Sequence, residues 1–344
     1  MTKTPVSHFA LVLPGAVARG AYEAGVIQVL AESEMHIDRI VATSSGALNG
    51  LAYAIGIRNG CEKEMAQNLI AAWIENGGWQ NSLSLNPLNL LTGRGLSDNS
   101  GLLEIMRRMV KPERNTKKRE VEFRVIVAPI NGVIGNIGKK EATTYEKIIN
   151  FTGKDFDTQE SLENVFNVVS AACAFPGLFR PVEIKGLGAC LDGGTVNNAP
   201  IRYALEESDV NRVIIPVPFP RIMALGDWKR GMGLLNHLIA ILINERLYRD
   251  LKNAQTVNKE LDKLTKLMNE GIITKDQLDK IKSVLEIRNV EITEVRPLQN
   301  LKCSPFSGFF QKSERIRLIE AGRVAAQNCL ERIPAHNIEG IQTT

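Results

Sequence analysis

Twice between residues 8 and 57 the chain passes from a short apolar run straight into a helical run, and nothing else in the sequence restricts the fold as much. Residues 8–13 and 39–43 read as buried strands, and residues 19–34 and 45–57 as the helices that follow them. In the first helix Tyr22, Val26, Val29 and Leu30 fall on one face, at the spacing of an amphipathic helix. Strand–turn–helix units joined with so little linker are the pattern of a parallel α/β protein.

The rest of the chain extends that pattern. A helix is expected over 62–76, set off by the Asn59-Gly60 turn signal. Residues 77–102 are rich in Asn, Ser, Gly and Leu, with Trp79 and Pro87, and read as a long loop serving as a lid or cap. Strands are expected at 121–128, 133–137, 189–191 and 212–217, with a helix over 160–172. Beyond about residue 231 long helices take over, at 234–269 and 275–288, separated near Gly271 and Thr274. Leu261, Leu264, Leu267 and Met268 lie on one side of the first, as in a helical hairpin packed on a sheet. A strand at 291–297 and a helix at 313–330 close the chain, and no internal repeat interrupts it.

Composition excludes several classes of function. A formal net charge of +4 on 344 residues, with no basic stripe and only the run 117–119, does not suit nucleic-acid binding. Five well-separated cysteines have neither zinc-like nor disulfide-framework spacing, so free thiols in a reducing compartment are expected. The first ten residues lack the apolar core of a signal peptide. The apolar stretch 231–243 contains Asn236 and His237 and is too short to span a bilayer. A cytoplasmic or peripheral-membrane protein is expected.

Three segments carry candidate chemistry. Ala42-Thr43-Ser44-Ser45-Gly46 sits between the second strand and the second helix, where a nucleophile elbow would lift a serine hydroxyl above the sheet edge. Ala42 and Gly46 are small enough to let the chain fold back. Alone, the pentapeptide reads equally well as a helix N-cap at Ser44 or Ser45. Asp192-Gly193-Gly194 follows an apolar run and suits a carboxylate held at the sheet's edge, although by itself it also reads as an ordinary turn. Gly15, Ala16, Val17, Arg19 and Gly20 lie in the loop after the first strand, whose amides can face an oxyanion or simply connect strand to helix. The lysine and hydroxyl residue that end a Walker loop are absent from it.

Taken in order with their flanks, these segments resemble the patatin-like phospholipases. The flanks are Arg19-Gly20-Ala21-Tyr22-Glu23, Ala174-Phe175-Pro176-Gly177 and Thr195-Val196-Asn197-Asn198-Ala199-Pro200. The likeness covers roughly residues 9–217. It implies a three-layer α/β sandwich with a mostly parallel central sheet and an added C-terminal helical region. In that arrangement one domain spans 1–344, with a catalytic core at about 8–220, a helical extension at 231–290 and a closing strand and helix at 291–332. It also implies a Ser44–Asp192 dyad, an acyl-enzyme, and hydrolysis of fatty acyl esters of phospholipids or lysophospholipids at a membrane or micelle surface, with neither metal nor cofactor.

One departure stands out. The family's glycine-rich loop reads here Gly15-Ala16-Val17-Ala18-Arg19-Gly20, so Ala16 and Val17 replace two glycines. If either position requires positive φ, a β-branched Val17 is strained there. The altered loop leaves a weakly active or lipid-binding regulatory protein as one alternative, and an acyltransferase as another. Arg19 is retained, to hold the loop or a lipid phosphate. Of the four histidines, His237 falls in an apolar helical stretch and His336 in a tail, so neither offers the third member of a triad.

Overall fold

The burial pattern of the first strand shows that the sheet is covered on both faces. In the computed structural model every residue of β1 (Phe9–Leu13) is buried. Phe9, Leu11 and Leu13 enter one core and Ala10 and Val12 a second. In β2 (Ile37–Ala42), Ile40 and Ala42 join the first core and Val41 the second. Strands apolar on both faces are stable only between two layers of helix, and those layers make the expected three-layer sandwich. The structure describes residues 8–33, 35–78, 84–85, 97–110, 119–137, 140–206, 210–219, 233–285, 287–301, 303–304 and 306–331.

On the first face lie α1 (Gly20–Glu32), α2 (Ser45–Asn59) and α3 (Glu62–Ala71), which runs into a π-helical turn at Ala72–Asn76. Helix α4 (Ser100–Met109) and α5 (Gln159–Ala172) complete that layer in the first half of the chain. On the second face, α6 (Ile201–Leu205) and the long α7 (Gly233–Asn269) bring Ile201, Ala204, Leu247 and Leu251 against the sheet. Helix α8 (Lys275–Leu285) turns back beside α7. A short α9 (Ser307–Phe310) leads into α10 (Lys312–Leu330), which packs along α1.

Five strands run parallel in the order β12 (Glu291–Val295), β11 (Arg212–Pro216), β1, β2 and β5 (Glu122–Pro129). The sheet then turns antiparallel through β8 (Lys147–Phe151), β10 (Gly188–Asp192) and β9 (Val182–Ile184). Two ribbons stand apart: β3 (Ser84–Leu85) with β4 (Ser97–Asp98), and β6 (Val133–Ile137) with β7 (Lys140–Thr144). Most of the loop expected over 77–102 lies outside the described residues. Its C-terminal boundary is corrected, because α4 already begins at Ser100.

The register on β5 decides what the sheet brings together. β2 runs along one edge of β5 as far as Ala42 opposite Val125. β8 occupies the other edge, from Phe151 opposite Phe123 to Lys147 opposite Val127. Asp192 is also paired with Val127, so β10 must lie on the edge that β2 has just vacated. The two strands therefore meet end to end along one edge, two residues or about 7 Å apart.

Helix α7 runs against the direction of the parallel strands. Asn258 bonds both the N–H and the C=O of Val290, just before β12 begins. Ten residues earlier in the helix, Tyr248 meets Arg296, just after β12 ends, at 5.8 Å. The helix is continuous back to Gly233. At 1.5 Å per residue, residues 234–241 stand about 10–20 Å beyond the C-terminal edge of the parallel strands.

Candidate functional site

Ser44 lies at the abrupt change from β2, which ends at Ala42, to α2, which starts at Ser45. Its backbone has φ 52 and ψ −136, a conformation that non-glycine residues rarely adopt. The capping alternative does not hold, because the Ser44 side chain makes no cap hydrogen bond to the helix. Its hydroxyl instead donates to Asp192 Oδ2 at 2.6 Å. Ala42 is buried beneath the turn, and at Gly46 a Cβ would lie 2.3 Å from the carbonyl oxygen of Leu13. Only glycine allows the elbow to fold back that closely.

Asp192 is the last residue of β10. Its N–H donates to the Ala174 carbonyl at 3.0 Å, its Oδ1 accepts from the Gly194 N–H at 2.7 Å, and its carbonyl accepts from Thr195 Oγ1 at 2.7 Å. The residue is 1% exposed. Burial pushes its carboxyl up to about 7, against the opposing pull of the Ser44 and Gly194 hydrogen bonds. Gly193 makes this placement possible, since a Cβ there would lie 2.1 Å from the Ile126 carbonyl oxygen. Gly194 follows, its N–H fixing one carboxylate oxygen while the other faces Ser44.

The loop after β1 passes over the same point. Gly15 approaches Ser44 so closely that its Cβ would be 2.7 Å from that of Ser44. Ala16 N–H donates to Ser45 Oγ at 3.1 Å. Val17 has φ 54, the positive value at which a β-branched side chain is strained. Arg19 and Gly20 carry the loop into α1. The arginine does not reach for a phosphate: it is buried, donates to the carbonyls of Pro218 and Cys303, and stacks 4.5 Å from the Phe219 ring. Of the two roles expected for it, holding the loop is the one observed.

Ser44 and Asp192 open into a cavity of about 730 Å³, counted with its open mouth. Its walls are apolar, with Leu48, Leu69, Trp73, Ile105, Phe175 and Phe179 among them, and Val17 and Phe309 near the loop. Behind the wall is a polar network that the sequence reading missed. Asn49 donates to Glu23 Oε2 at 2.8 Å and to the Gly20 carbonyl at 2.9 Å, and accepts from Trp73 Nε1 at 2.8 Å. Glu23 is fully buried, and burial pushes its carboxyl well above the usual range against the opposing pull of the Asn49 hydrogen bond. Cys173 also borders the cavity, its thiol donating to the Ser44 carbonyl at 3.0 Å. Among the described residues no three His, Cys, Asp or Glu side chains gather as metal ligands would.

The profile of the patatin-like phospholipases matches residues 11–205, more than half of the chain. The chain belongs to that family. Its patatin-like segment includes Ser44, Asp192 and the loop after β1, whereas Phe309 of the cavity wall and the Pro218, Phe219 and Cys303 partners of Arg19 lie beyond it. Two mycobacterial relatives, uncharacterized NTE family proteins of Mycobacterium bovis and Mycobacterium tuberculosis, are each 28% identical over 229 residues. That match takes in 67% of this chain but 33% of theirs, so the chain spans about a third of the length of these relatives. The crystal structure of VipD from Legionella pneumophila aligns with a TM-score of 0.41 and 14% identity, over 95% of this chain and 67% of that one. Among the described residues of this patatin-like protein, no helix is long and apolar enough to cross a membrane.

Proposed function

We propose that this chain is a serine acyl hydrolase acting on fatty acyl esters of phospholipids or lysophospholipids, with Ser44 as nucleophile and Asp192 as its base. The observation that carries the reading is the 2.6 Å hydrogen bond from the Ser44 hydroxyl to a buried carboxylate at an apolar cavity. A base with a pKa near 7 is well matched to neutral pH, since it is substantially ionised and still holds a proton firmly.

In this mechanism Ser44 Oγ attacks the ester carbonyl carbon while Asp192 takes the hydroxyl proton. Backbone N–H groups of Val17 in the loop and of Ser45, at the N-terminus of α2, face the negative charge that develops on the carbonyl oxygen, while the Ala16 N–H is held by Ser45 Oγ. Collapse of the tetrahedral adduct breaks the bond to the lysolipid or glycerol oxygen, which leaves with the proton from Asp192. Water then attacks the acyl-Ser44 ester, giving its proton to Asp192. Fatty acid departs, and the proton returns to Ser44.

A lipid surface as the source of substrate fits the overhang of α7. Leu234, Leu238 and Ile241 share one face of that overhang and are 54%, 48% and 57% exposed. They project beyond the C-terminal edge of the parallel strands, the edge at which Ser44 lies. Phe310, next to the cavity-lining Phe309, is exposed too.

Fatty acid release from phospholipid vesicles tests the reading. Wild type is expected to release it and Ser44→Ala to lose at least a thousandfold. Release undiminished in Ser44→Ala refutes the proposal.

A further inference from the structure

The strained loop beside Ser44 is held by a side chain from the far end of the site. Asn198 is buried, and its Nδ2 donates to the Gly15 carbonyl at 3.0 Å across 183 residues of sequence. Its Oδ1 stands 2.4 Å from where a Gly15 Cβ would be and 2.8 Å from where a Gly194 Cβ would be. The asparagine is thus wedged between the loop and the Asp192 turn, and both glycines leave room for it. The turn is itself fixed, because Val196 N–H and Asn197 N–H both donate to the Gly193 carbonyl, at 3.1 and 2.8 Å.

The Gly15–Ala16 peptide is consequently gripped at both ends. Its C=O accepts from Asn198 and its N–H donates to Ser45 Oγ. A peptide unit is planar and rigid, so two anchors set its orientation. Val17, the next residue, holds φ 54. A β-branched residue stays in that region only where its surroundings leave it no alternative. Without an anchor at residue 15, rotation about the Val17 backbone would take it to an ordinary negative φ and turn the neighbouring amides away from Ser44.

We infer that Asn198 is a positioning residue for the acyl-transfer site: by holding the Gly15 carbonyl it keeps the loop amides aimed at the oxyanion and maintains the strained Val17 conformation. The inference rests on the reading of Ser44 as nucleophile. Asn198 is not among the residues that line the cavity, and it acts through the backbone of residues 15–17.

The test is steady-state hydrolysis of a soluble p-nitrophenyl ester by wild type, Ser44→Ala, Asn198→Ala, Asn198→Asp, Val17→Gly and the Val17→Gly/Asn198→Ala double variant, with active sites titrated by a fluorophosphonate. Amide hydrogen exchange of peptides covering residues 13–20 is followed in parallel. Asn198→Ala is expected to lower kcat at least tenfold per titrated site, with KM within about threefold and the acid limb of the pH profile unmoved. Asn198→Asp keeps the shape but turns an acceptor towards the carbonyl, and is expected to be at least as damaging. In the Val17→Gly background the loss from Asn198→Ala should shrink at least threefold, because glycine holds positive φ without strain. Exchange at 13–20 should quicken in Asn198→Ala alone. A kcat per site within twofold of wild type for Asn198→Ala overturns the inference, as does an equal loss in both backgrounds. Wild-type hydrolysis that Ser44→Ala leaves intact would instead sink the nucleophile assignment, and unchanged exchange in Asn198→Ala would then dispose of the clamp as well.

Discussion

Asp192 and Lys147 are both partners of Val127, one on each edge of β5. That shared partner forces β10 onto the edge used by β2, so the strand carrying Asp192 ends where the strand leading to Ser44 ends. Two side chains 148 residues apart come within 2.6 Å because an antiparallel strand enters a parallel sheet head-on. Gly193 lets the chain clear β5 at that junction.

In the proposed mechanism the raised carboxyl of Asp192 sets the pH dependence of activity, because a general base must be ionised and this carboxyl is pushed up to about 7. Below that value kcat/KM is expected to fall tenfold per pH unit, with a plateau on the alkaline side. A pH–rate profile flat from pH 5 to 8 would contradict this.

The same group makes stability depend on pH in the opposite sense. The folded state keeps the Asp192 proton up to about pH 7, whereas the unfolded chain releases it near pH 4. Folding thus takes up a proton between those values, and this contribution to stability is lost as pH rises through the window. Asp192→Asn removes the buried charge. It is expected to unfold at higher urea than wild type at pH 8, by about 2–4 kcal/mol, with the difference vanishing near pH 4. Under the proposed mechanism the same variant loses the general base and should lose about 100- to 10,000-fold in kcat at pH 8. Equal urea midpoints at both pH values would show that burial does not raise this carboxyl.

Val17 carries strain of about 1–3 kcal/mol at φ 54. Val17→Gly relieves it, so thermal unfolding should show no loss of Tm, although replacing a β-branched residue by glycine ordinarily lowers it. A drop of several degrees would mean that Val17 is at ease in the loop.

Gly193→Ala places a methyl 2.1 Å from the Ile126 carbonyl oxygen, so the Asp192 turn must move. Hydrolysis should fall at least a hundredfold, and circular dichroism should show the helices retained. Wild-type kcat in this variant would mean that the turn tolerates displacement.

The overhang of α7 should matter only where substrate lies in a surface. Replacing both Leu238 and Ile241 by Glu is expected to depress hydrolysis of vesicle phospholipid at least ten times more than hydrolysis of a water-soluble ester. Equal effects on the two substrates would detach this face from the lipid surface.

What the sequence made legible follows local pattern. The elements β1, α1, β2 and α2 were readable because each is a single apolar run or one periodic face, broken by small turn residues. Ser44 and Asp192 were readable as motifs, and Val17 as a residue that would be strained if its position required positive φ; that it does so is visible only in the structure. The strands β7 and β8 were not. Lys140, Glu141, Lys147 and Asn150 give them a polar, half-exposed texture, which masks the single buried core residue Phe151 at the end of β8. Helix α4 was hidden because Ser100-Gly101 opens it with residues that look like loop. Asn198 lay in a flank that carries the family likeness, but neither it nor Asn49 showed a role: an asparagine becomes a structural brace only through what lies across from it, and Gly15 and Trp73 are distant in sequence.

The most direct test of the Ser44–Asp192 pairing is peptide mapping by mass spectrometry after brief reaction with a fluorophosphonate at pH 8. The adduct is expected on the peptide containing Ser44 in wild type, and its rate of formation should drop at least a hundredfold in Asp192→Asn. An adduct on a different residue, or labelling of Ser44 at an undiminished rate in Asp192→Asn, would contradict the account.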